Sequence, residues 1–115
     1  MVALSRNITR KHAMEMLLTG EAMDAPTAHR FGLINRHVSN DELDNTVMHF
    51  AKLIVSKSAY TVRIGKEAFY RQMDMNLNDA YEMASEVMVE NMLAADAQEG
   101  MTAFIEKREP VWSDN

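Results

Sequence analysis

Only one stretch of this 115-residue chain reads as a β-strand, and a single strand cannot satisfy its own backbone. Leu33-Ile-Asn-Arg-His-Val38 places Leu33, Asn35 and His37 on one face and Ile34, Arg36 and Val38 on the other. Its N–H and C=O groups need a ladder, and no other segment offers the second strand that would supply it. The chain is therefore expected to be mainly α, with one short strand near 33–38 whose partners lie elsewhere.

The remaining apolar residues recur at helical spacings, between residues that start and stop helices. Ala3–Arg6 is short enough to be the tail of a helix. Thr9 can cap Arg10–Leu18, where Ala13, Met14, Leu17 and Leu18 form a stripe and Gly20 supplies the stop. Asp24 can cap a short helix with Pro26 in its first turn, ended by Gly32. Ser39 and Glu42 have the capping-box spacing and open a helix to about Ser56, with Leu43, Val47, Phe50, Ala51 and Ile54 along one side.

Ser58 can cap the next helix, Ala59 to about Met73, with Val62, Phe69 and Met73 inward and Arg63, Lys66 and Arg71 outward. Gly65 in its interior costs about 1 kcal/mol relative to alanine, which points either to close approach by another group or to a tolerated accident. Asn76 or Asn78 starts the longest helix, reaching about Ala95. Leu77, Tyr81, Ala84, Met88 and Met92 mark one face of it, and Ala80, Met83 and Val87 widen that face. Asp96 and Glu99 repeat the capping-box spacing and predict a last helix from Ala97 that stops before Pro110, which forces Glu109 out of helical geometry.

Composition narrows the function classes. A net charge of −5 argues against non-specific nucleic-acid binding, which needs clustered Lys and Arg. No apolar run is long enough to span a bilayer, and no secretory leader is recognisable, so no membrane partner is expected. The absence of cysteine removes disulfides and thiolate metal sites. Eleven methionines suit helix–helix seams and adaptable apolar surfaces. At this length one domain is expected.

A self-contained catalytic constellation is not legible. Asp79, Glu82, Glu86 and Glu90 line one helical face, and such a row can bind a cation or move protons. A solvated face, answered by Arg63, Lys66 and Arg71, is the more ordinary reading. His12, His29, His37 and His49 show no paired metal-ligand spacing, so no metal site is expected. No serine sits in a strained elbow, and no glycine-rich phosphate loop is present. In the last helix Met101, Phe104 and Ile105 share a stripe. It reads either as a terminal amphipathic helix with Trp112 tucked back on its neighbour, or as Phe104 and Lys107 offering an aromatic face and a cation to one ligand.

Several stretches together resemble the enoyl-CoA hydratase/isomerase (crotonase) superfamily. Asp96–Trp112, "DAQEGMTAFIEKREPVW", is similar to its C-terminal signature, and Glu15–Val38, "EMLLTGEAMDAPTAHRFGLINRHV", to its Leu-Thr-Gly-Glu and Gly-Leu-Val-Asn pattern. Leu53–Met75 resembles the helix pair that follows, and "ASEVMVENMLAADAQEGMTAF" looks most like the hydratase branch.

The resemblance implies that residues 1–115 are the helical C-terminal domain of a ClpP/crotonase-like fold, following a catalytic core that holds the oxyanion hole and the acid–base glutamates. No catalytic residue is then expected in this chain. Phe104 and Lys107 are implied to contact the adenine–ribose–phosphate end of coenzyme A across a subunit boundary. No separate cofactor is implied, coenzyme A being part of the thioester substrate. The parent is implied to be a trimer or dimer of trimers acting on enoyl-CoA esters, in a bacterial cytoplasm or the mitochondrial matrix. The alternative is a non-catalytic helical association module that acts alone.

Overall fold

A computed structural model of the chain describes residues 1–113. Among these residues are seven helices: α1 (Val2–Asn7), α2 (Arg10–Thr19), α3 (Ala25–Arg30), α4 (Asn40–Val55), α5 (Ala59–Gln72), α6 (Leu77–Leu93) and α7 (Ala95–Glu106). The starts follow from short polar side chains that take up otherwise orphaned N–H groups. Thr9 accepts from the His12 N–H, Asp24 from Thr27, Ser58 from Thr61 and Asn76 from Asp79. The Asp24 carboxyl is held below its usual range chiefly by its hydrogen bond from Thr27. Ser39 and Glu42 meet side chain to side chain, with the hydroxyl donating at 3.1 Å.

The mainly helical class expected from the sequence is what forms, and the strand at 33–38 does not. The N–H groups of Leu33 and Ile34 both donate to the Ala28 carbonyl, at 2.9 and 3.5 Å, so the segment's start is spent closing α3. Residues 35–39 carry no regular structure, because none of the described residues pairs with them as a ladder.

The chain divides into two compact units, Met1–Thr46 and the remainder from Val47. In the first, Ile8, Ala13 and Ala28 are buried. The His12 ring stacks on Phe31 with centroids 3.5 Å apart. Gly20 ends α2 in the left-handed region at φ 66°, and its N–H donates to the Met16 carbonyl. The stripe expected on α2 is covered only at Ala13; Leu18 is 78% exposed.

The second unit is built on the hairpin of α5 and α6. The Tyr60 hydroxyl, at the start of α5, donates to Glu90, near the end of α6 (3.1 Å), and Thr61 Oγ1 donates to Asn91 Oδ1 (3.0 Å), so the helices run antiparallel. Desolvation and the Glu90 carboxylate push the Tyr60 phenol up from its usual range. The seam buries Ile64 and Met83, and Ala68, Ala80 and Val87 are half-buried on the same helix faces. Burying a side chain of this size contributes roughly 1.5–3 kcal/mol.

The inner face of α6 is therefore the Ala80–Met83–Val87 line. Leu77, Tyr81 and Met88, expected at its centre, stay exposed, as do Phe69 of α5 and Met73 at its C-cap. α7 packs on both helices of the hairpin and buries Ala103. Gly65 has no atom within 4 Å of where a Cβ would stand, so no close approach explains it among the described residues.

Candidate functional site

The site implied by the sequence lies at the end of α7. That helix starts at Ala95, two residues before the expected position, and its N-cap, Ala94, makes no side-chain hydrogen bond. The Asp96–Glu99 capping box does not form, because both carboxylates are engaged by the chain that returns after the helix. Asp96 is 1% exposed, and its Oδ1 accepts from the N–H and the hydroxyl of Ser113 at 2.7 and 2.8 Å. Glu99 accepts both prongs of the Arg108 guanidinium, at 2.6 and 2.9 Å, and the Val111 N–H at 2.7 Å. Those hydrogen bonds, Arg108 first, hold the Glu99 carboxyl down at about 2. The same pairing, together with Glu106 (2.7 Å), pushes Arg108 further up.

Phe104 is 84% exposed and Ile105 79% exposed, so the end of the α7 stripe is not spent on packing. Lys107 follows directly as the C-cap, with φ 55° and ψ 43°. It is the one non-glycine residue with positive φ among those described. A β-carbon in this left-handed region costs about 1–2 kcal/mol, and glycine is the usual occupant. The turn closes as a Schellman motif: the Arg108 N–H donates to the Ala103 carbonyl at 3.0 Å, and the Lys107 N–H to Phe104 at 3.3 Å. The helix ends at Glu106, before Pro110 as expected, with Lys107 as its cap.

Chemically, the pair offers an aromatic face and an ammonium three residues apart in sequence. A ring of this kind can stack on a nucleobase, and an ammonium is a compact partner for phosphate. Elsewhere, the carboxylate row of α6 is dispersed over separate tasks. Asp79 accepts from its own cap, Asn76 (2.7 Å), and Glu90 from Tyr60. No group of three or more metal-ligating side chains converges among the described residues. The roles of Asp96, Glu99 and Arg108 in the returning chain were missed by sequence reasoning. A carboxylate pair followed by Arg-x-Pro-x-Trp was the available signal, since a proline after a helix lets the chain turn back on the same acids.

This site sits in a recognised sequence frame. The model of the family described as enoyl-CoA hydratase/isomerase matches residues 1–115. The chain belongs to the enoyl-CoA hydratase/isomerase family. It is 47% identical over 112 residues to mouse enoyl-CoA hydratase domain-containing protein 3, mitochondrial, covering 97% of this chain and 37% of that protein. It is 36% identical over 105 residues to the short-chain-enoyl-CoA hydratase of Clostridium acetobutylicum, covering 91% of this chain and 40% of that one.

Among solved structures, human enoyl-CoA hydratase domain-containing protein 3 superposes with a TM-score of 0.94 at 45% identity, over 96% of this chain and 44% of the other. An enoyl-CoA hydratase from Mycobacterium smegmatis gives 0.93 at 45% identity, over 96% of this chain and 43% of the other. The chain thus spans about two fifths of the length of the relatives it matches, and its helices take the fold of those hydratases.

Proposed function

We propose that this chain is the helical C-terminal region of an enoyl-CoA hydratase-like protein, and that it contributes subunit association and the nucleotide edge of the coenzyme A site. The parent reaction is addition of water across the double bond of a 2-enoyl-CoA thioester. Oxyanion stabilisation and carboxylate acid–base chemistry for that step come from the family's catalytic core, outside these 115 residues. Phe104 and Lys107 take the adenine and a phosphate of coenzyme A, which enters as part of the substrate. A homotrimer, or a dimer of trimers, brings the pair to a neighbouring subunit's thioester. The relatives named mitochondrial favour the mitochondrial matrix; the bacterial relatives favour a cytoplasm.

One observation carries this reading. A fully presented phenylalanine stands three residues from a lysine held at a strained helix end, where an apolar ring and a β-carbon would both be disfavoured for stability alone. The uncovered faces of α4 support the association role: Val47, Met48 and Ile54 are each more than half exposed.

The test compares a CoA thioester with a truncated pantetheine thioester in the assembled enzyme. Lys107→Ala should weaken the CoA ester by about 1–3 kcal/mol. The pantetheine ester should be unaffected, and kcat should be nearly unchanged, because a contact far from the reacting carbon binds ground and transition states alike. Equal losses with both substrates would make Lys107 a structural residue and remove the assignment.

A further inference from the structure

The tail from Arg108 to Ser113 turns back along α7 and is buckled down at three places. Arg108 and the Val111 N–H close on the Glu99 carboxylate, and Ser113 donates twice to the buried Asp96. The Trp112 indole N–H donates to the Ser56 carbonyl at 2.8 Å, beyond the end of α4. The indole lies against Gly100, where a Cβ would meet Cη2 at 3.4 Å. Lys107 stands between the helix and this strap, as the hinge of the reversal.

Local sequence does not dictate that hinge. Pro110 bars helical geometry at Glu109 only, so the helix could run on through Lys107 and Arg108. Lysine and arginine are good helix formers, and no glycine marks the turn. The strap's hydrogen bonds are what favour reversal over extension.

We propose that Asp96, Glu99, Arg108 and Trp112 are positioning residues, a C-terminal strap that holds Lys107 in its left-handed turn and thereby sets its ammonium relative to the Phe104 ring. The use of that placement for coenzyme A rests on the function proposed above; the hold on Lys107 does not. The strap acts through backbone conformation, and none of its four side chains needs to touch the ligand. Arg108 in particular is spent: its fork is on Glu99 and its Nε on Glu106.

The experiment reads the three-bond amide-to-Hα coupling of Lys107 in the isotope-labelled 115-residue chain, since this coupling is larger for left-handed than for right-handed helical φ. In Glu99→Gln the Lys107 coupling should fall to the helical range while those of α5 and α6 stay unchanged. An unchanged Lys107 coupling in the folded variant overturns the proposal. If Glu99→Gln does not fold, Trp112→Phe, which keeps a ring on Gly100 and deletes only the N–H to Ser56, is read in the same way.

A second arm measures CoA-thioester affinity in the assembled enzyme. If the strap works through Lys107, Glu99→Gln should weaken binding, and Glu99→Gln with Lys107→Ala should be no weaker than Lys107→Ala alone. Additive losses overturn the route through Lys107. No loss from Lys107→Ala by itself sinks the coenzyme A reading, and the coupling measurement then still decides the strap.

Discussion

Replacing Lys107 with glycine should make this chain more stable while removing the cation proposed to bind phosphate. Lys107 sits at φ 55° and ψ 43°, where a β-carbon costs about 1–2 kcal/mol and glycine costs nothing sterically. Against that gain, glycine loses more backbone freedom on folding, an offset of about 0.5–1 kcal/mol. The balance spans about 0–1.5 kcal/mol of stabilisation, and its midpoint of about 0.75 kcal/mol corresponds to a rise in melting temperature of roughly 3–5 °C for a chain of this size.

Thermal unfolding followed by far-ultraviolet circular dichroism measures this directly, with Lys107→Ala as the companion variant. Alanine keeps the β-carbon and so should show no gain. If Lys107→Gly melts at or below the parent, either the left-handed turn is not held in solution or the lysine stem contributes packing that outweighs the strain. A gain shared equally by alanine would mean that removing charge, and not relieving strain, is responsible.

Three further outcomes are expected. Gly65→Ala should stabilise the chain by about 1 kcal/mol, since a methyl group there meets nothing within 4 Å in a helix interior; a lower melting temperature would contradict it. The Glu99 carboxyl sits at about 2 against an ordinary value of 4.5, so its contribution to stability is fully present above about 4.5 and is lost as pH falls through about 2. Denaturant titrations across that window should show Glu99→Gln with a flatter acid limb than the parent, and parallel limbs would rule the clasp out as the source. Lastly, the 115-residue chain alone should not turn over crotonyl-CoA, as the acid–base glutamates and the oxyanion hole are proposed to lie in the catalytic core outside it; hydration above a buffer blank that survives repurification would refute this.

What could be read from the sequence divides along the range of the interactions involved. The caps at Thr9, Asp24, Ser58 and Asn76 were legible because each is a bond to an N–H three residues on, complete within its own segment. The inner face of α6 was not, because apolar residues ring much of that helix, and only α5 determines that Met83 and not Tyr81 goes inside. Asp96 and Glu99 have capping spacing, but a carboxylate that can cap can equally accept from a returning chain, and Ser113, Arg108 and Val111 outcompete the helix's own N–H groups. The strand at Leu33–Val38 fails for the complementary reason: a ladder needs a partner that none of the described residues provides. Spacing offered Phe104 and Lys107 only as one of two readings of the last helix, and family resemblance decided between them. Nothing local announces a left-handed lysine, since the residue that normally marks such a turn is glycine.

The strap also carries its own reporter. Trp112 is the single tryptophan of the chain, and its indole is half-buried against Gly100 with the N–H tied to Ser56. Indole emission shifts to the red when the ring passes from such a setting into water. Every photon of tryptophan fluorescence from this protein therefore comes from the buckle itself. Opening of the strap by acid, by substitution or by a ligand at the end of α7 can be followed in real time without a label, and separately from the melting of the helices that circular dichroism records.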